Sequence, residues 1–128
     1  MPKENPNVTP FGEMTRAMRA DRGVTISAMA EAIGVTPGYL SGLEHGKKGR
    51  PSWPLVQRII TYFELIWDEA EALERAAHLS DPRVTVDTAN ASSQATRIAN
   101  RLAHEITDLD EAQLVQIESI LDQPKSKS

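Results

Sequence analysis

Apolar residues recur along this chain at the three- and four-residue spacing of amphipathic helices, in short blocks separated by glycine, proline and small hydroxylated residues. Thr9-Pro10 places an N-cap residue before a proline at the first helical position. Phe11, Met14 and Met18, with Ala17 beside them, then form one stripe that ends at Gly23. Thr25 opens a second, short helix whose predicted inward face is Ala28, Met29, Ala32 and Ile33, with Gly34 as its stop. Thr36-Pro37 repeats the cap-and-proline signature for a third helix, which buries Leu40 and Leu43 and ends at Gly46. A basic loop, Lys47-Lys48-Gly49-Arg50-Pro51, follows. Ser52 caps a fourth helix with Val56, Ile59, Ile60 and Phe63 facing in, and a fifth spans about 67–79 with Ala70, Leu73 and Ala77.

Asp81-Pro82 breaks this rhythm. Residues 83–87 alternate like a strand but are too few to require one. Ala91, Ala95, Ile98, Leu102 and Ile106 return to helical spacing. Asp108 with Glu111 three residues on reads as a capping box for a last helix carrying Leu114, Ile117 and Leu121. The predicted class is all-α: a compact five-helix bundle over 9–79 and a C-terminal helical extension over 80–122. Residues 1–8 read as a flexible arm and 123–128 as a disordered tail.

Composition narrows the function classes. There is no cysteine among 128 residues, which excludes a disulfide framework and thiolate metal sites. No apolar run has the length of a membrane span, and the first residues lack the apolar stretch of a signal peptide, so a cytoplasmic protein is expected. The net charge of −4 conceals an asymmetry: residues 1–60 hold eight Lys/Arg against five Asp/Glu, and residues 61–128 hold six against thirteen. A basic half and an acidic half imply separate tasks. His45, His78 and His104 share no metal-ligand spacing and read as surface residues. Ser27, Ser41 and Ser52 lack a His/Asp partner pattern, and no Gly-rich phosphate loop is present, so neither an enzyme nor a cofactor is expected. Trp53 and Trp67 are expected in the core or in domain packing.

The segment from Thr25 to Gly46 has the parts of a helix-turn-helix. Close helix crossing needs small residues, offered by Ala30 and Ala32; the turn needs the backbone freedom of Gly34; the second helix needs the defined start of Thr36-Pro37. From about Phe11 to Leu73 the chain resembles the Cro/phage-repressor (Xre-type) helix-turn-helix family, most closely over Thr36-Pro37-Gly38-Tyr39-Leu40-Ser41-Gly42-Leu43-Glu44-His45-Gly46-Lys47. The resemblance implies a buried ion pair between Arg19 and Glu44. It implies a backbone phosphate contact at Thr25 and groove-facing positions at Thr36, Gly38, Tyr39, Ser41 and Gly42. It implies phosphate contacts from Lys47, Lys48 and Arg50. Tyr39 has two readings, groove contact or packing against its own helix. Pro37, Gly38 and Gly42 stand where relatives often carry long polar side chains, so direct base readout is sparse and backbone approach and DNA deformability are expected to share it.

The family contains two kinds of protein. One is a homodimeric repressor of a prophage or host operon, binding a palindromic operator in double-stranded DNA through the helix at 37–45. The other is an antitoxin or adaptor whose residues 80–122 bind a protein partner, with DNA binding for autoregulation. A purely structural helical module is the third reading of the same pattern.

Overall fold

The computed structural model describes residues 7–126, so most of the expected N-terminal arm and the last two residues of the tail lie outside the described residues. Among the described residues seven α-helices follow one another: α1 Pro10–Arg22, α2 Ile26–Ile33, α3 Pro37–Glu44, α4 Trp53–Phe63, α5 Trp67–His78, α6 Ser93–Glu105 and α7 Glu111–Asp122. A single 3-10 turn, Ile106–Asp108, stands between the last two. The chain divides into two compact units, one ending at Val84 and one beginning at Thr85. The fold is all-α, and residues 83–87 are neither helix nor strand.

In the first unit, local chemistry sets each helix start. The hydroxyls of Thr9, Thr25, Thr36 and Ser52 accept hydrogen bonds from the backbone N–H three residues on, satisfying one orphan donor each. Pro10, Pro37 and Pro54 sit in the first turn, where a missing N–H costs nothing. Gly23 and Gly34 end α1 and α2 in the left-handed conformation, with φ of 66° and 82°.

Phe11, Met29, Ile33, Leu40, Leu43, Ile59 and Leu73 fill the centre of this unit, which α1 to α5 surround. Ser80 closes it. Its hydroxyl accepts from the Phe11 N–H at 2.8 Å and donates to the Ala76 carbonyl at 2.5 Å, tying the start of α1 to the end of α5.

Several expected faces are shifted. In α2 the buried residues are Met29, Ala30 and Ile33, while Ala28 and Ala32 are exposed. The half-buried Ile26 completes the spacing of a true inward stripe, 26-29-30-33, one residue round from the expected one. Ala17 is exposed, and Thr15 and Arg19 take its place inside α1. Both tryptophans lie outside the core: Trp53 is 70% and Trp67 83% exposed. Each is the first residue of its helix, where the chain is still entering, and Leu55, Val56, Phe63 and Leu65 fill the space within.

In the second unit the box that opens α7 is Asp110 with Gln113, two residues later than Asp108 with Glu111. Asp108 is committed to the 3-10 turn, and Asp110 has the extended backbone that an N-cap requires. Along α6, Arg101 donates to the Glu105 carboxylate at 2.8 and 3.0 Å. These hydrogen bonds hold the Glu105 carboxyl below its ordinary range and the Arg101 guanidinium above its own. The pair is open to solvent and adds little to stability.

Candidate nucleic-acid interface

Helix α3 is held from one side only. Leu40, Leu43 and Glu44 are buried, so its remaining positions point away from the core. Pro37, Gly38 and Tyr39 are exposed at its start, and Ser41, Gly42 and His45 are half-buried farther along. The Thr36 hydroxyl accepts from the Tyr39 N–H at 3.0 Å, which fixes the first turn. Tyr39, with Val35, Thr36, Ser52, Leu55 and Arg58, borders a shallow open cleft between the starts of α3 and α4.

The end of α3 is held by a polar cluster. Arg19 meets the Glu44 carboxylate with both terminal nitrogens, Nη1 at 2.5 Å and Nη2 at 3.0 Å. Thr15 donates its hydroxyl to the same carboxylate at 2.7 Å. The Glu44 carbonyl accepts from the Thr9 N–H at 2.9 Å and from the Thr9 hydroxyl at 3.2 Å. Gly12 makes this approach of α1 to α3 possible, because a Cβ there would stand 2.3 Å from the Glu44 carbonyl oxygen. A buried charge pair is weak ground for stability by itself, but here every oxygen is satisfied and the orientation of α3 is set.

The cations differ in how they are placed. Lys47 is exposed, and its N–H donates to the Gly42 carbonyl at 2.8 Å. Lys48 lies back across α3: its side-chain carbons occupy the space a Cβ on Gly42 would enter, the nearest at 2.8 Å. Gly42 is therefore a notch for a lysine stem rather than bare backbone. Arg50 is exposed, with Nη1 donating to His78 Nδ1 at 3.1 Å at the end of α5. Thr25 stands apart from α3, at the start of α2, with its hydroxyl accepting from the Ala28 N–H at 3.0 Å. Between Gly34 and Leu43 there is no Asp or Glu, so the exposed face of α3 carries no carboxylate. Among the described residues no group of His, Asp and Glu is arranged to hold a metal ion. No helix among them is long and apolar enough to cross a membrane.

Sequence reasoning missed Thr9, Gly12 and Thr15 as the setting of Glu44. It also missed Arg58, whose Nη1 donates to the Ile33 carbonyl at 3.0 Å and closes the C-terminal end of α2. Thr15 did carry a signal: it lies four residues before Arg19 on the same face of α1.

No curated protein and no solved structure matches the chain significantly. A family model described as a helix-turn-helix domain matches residues 11–74, half of the chain. That span covers α1 to α4 and most of α5, with α2, the Gly34 turn and α3 at its centre. The chain belongs to the helix-turn-helix domain family, whose second helix is the DNA-reading element.

Proposed function

We propose that this protein is a sequence-specific transcriptional regulator of the Cro/phage-repressor (Xre) kind, acting in the cytoplasm as a homodimeric repressor on a palindromic operator. The observation that carries this reading is the outer face of α3, free of carboxylates and flanked by Lys47 and by Lys48 lying in the Gly42 notch. A helix presented in this way fits the major groove, where its N-terminal residues meet base edges. Ser41 and Thr36 supply hydroxyls for the bases, and Tyr39 supplies an apolar ring edge for a thymine methyl or a hydroxyl for a phosphate. Gly38 lets backbone approach the DNA closely. Thr25, Lys47 and Arg50 hold phosphates, and Lys48, its stem in the Gly42 notch, contacts either a phosphate or the O6/N7 edge of a guanine. Deformability of the operator supplies the remaining selectivity.

Selection of bound genomic fragments by the purified full-length chain tests the proposal. The expected product is an inverted repeat with half-site centres roughly 10 base pairs apart or a multiple of that. No enrichment even at low salt, where phosphate contacts are strongest, would reject it.

The second reading, an antitoxin or adaptor with residues 80–122 on a partner protein, draws on the uncovered apolar residues of α6 and α7. Purification from the native host distinguishes the two, since a stoichiometric second protein belongs to this reading and a bare homodimer to the first.

A further inference from the structure

Helices α6 and α7 have no buried residue, whereas each of α1 to α5 has at least two. Ile98, Ile106, Leu114, Val115, Ile120 and Leu121 are exposed. Within its own chain α6 packs against the 3-10 turn that follows it. Helices of 13 and 12 residues are marginal in water without tertiary burial, so these two need a surface to cover them.

Charge identifies that surface. Helix α6 carries Arg97 and Arg101 against the single carboxylate of Glu105, and His104 lies on the same side as the arginines. Helix α7 carries Glu111, Glu118 and Asp122 and no Lys or Arg. One unit thus holds a basic helix and an acidic helix, each with an apolar stripe. A second copy presents both complements at once, through a two-fold axis.

Resting on the homodimer reading above, we propose that α6 and α7 of two copies form an antiparallel four-helix bundle in which α6 of each copy lies along α7 of the other. A single register satisfies both stripes. It sets Ile98 against Leu121, Leu102 against Ile117 and Ile106 against Leu114, and brings Arg97 beside Asp122 and Arg101 beside Glu118. Antiparallel neighbours with interlocking apolar stripes are the ordinary geometry of four-helix bundles.

Light scattering on the full chain, with charge-exchange variants, tests this arrangement. The wild-type chain is expected at twice its 14.1 kDa at micromolar concentration. Arg97→Glu with Arg101→Glu, and separately Glu118→Lys with Asp122→Lys, are each expected to raise the dimer dissociation constant about tenfold at low salt, because each altered pair occurs twice. All four changes in one chain are expected to restore it. A wild-type monomer at tens of micromolar overturns the proposal. So does a dimer indifferent to either pair of changes, or a fourfold variant as weak as its parents. Fluorescence anisotropy with duplex DNA on the same samples separates this inference from the reading beneath it. A monomer that binds DNA in a salt-dependent way removes the bundle and the homodimer but leaves the DNA-binding regulator, and a dimer without DNA affinity removes only the regulator.

Discussion

The Glu44 carboxylate accepts from Thr15 and twice from Arg19, and its carbonyl accepts from Thr9, so one residue joins α1 to the end of α3. Glu44→Gln leaves the Arg19 guanidinium buried without its counter-charge and is expected to cost about 3 kcal/mol, read as a lower midpoint in chemical denaturation. Gly12→Ala should cost about 1–3 kcal/mol, since the new methyl meets backbone at Glu44 that cannot swing aside. Gly38→Ala separates folding from function. No atom lies within 4 Å of a Cβ there, so the helix should gain roughly 0.5–1 kcal/mol. The same methyl should weaken DNA binding if backbone approaches the groove at this position. A variant that is more stable and binds DNA unchanged would move the contact away from Gly38.

At the scale of the element, the helix starts were legible because capping is local chemistry. Thr9, Thr25, Thr36 and Ser52 announce themselves by residue type and by the pattern that follows each. Which face each helix buries was less legible. In an eight-residue helix such as α2, two neighbouring stripes share Met29 and Ile33 and differ only in Ala28 and Ala32 against Ile26 and Ala30, and contact with α3 and α4 decides between them. The polar residues around Glu44 were hidden for a related reason: Thr15 reads as a gap in the apolar stripe of α1 until its partner from α3 is in place. The tryptophans misled because bulk and apolarity argue for burial, whereas a helix's first residue often lies at its periphery. Helix α5 alone in the first unit starts without a side-chain cap, since its N-cap is the exposed Ile66.

For the whole molecule, the charge asymmetry of the sequence separates into two kinds of surface. The basic residues after α3 border a face without carboxylates, and the acidic excess lies toward the second unit and α5. If the first surface grips phosphates, the logarithm of affinity falls linearly with the logarithm of salt concentration, and Lys47→Ala should reduce that slope by about one per bound subunit at any DNA sequence. Lys48→Ala should behave differently if its ammonium reaches a guanine from the Gly42 notch, relaxing the preference at one operator position as well as weakening binding. In the proposed bundle the second unit sets how many α3 helices act together. Dimer variants should therefore lose affinity for the full inverted repeat far more than for a single half-site. Backbone amide shifts of the full chain, recorded on titration with a selected operator fragment, test the central claim most directly. The expected result is that the largest changes fall on Thr25 and Ser27, on Thr36 to Gly42, and on Lys47 to Arg50, with α6 and α7 unmoved. Changes confined to α6 and α7, or none across α3, would contradict it.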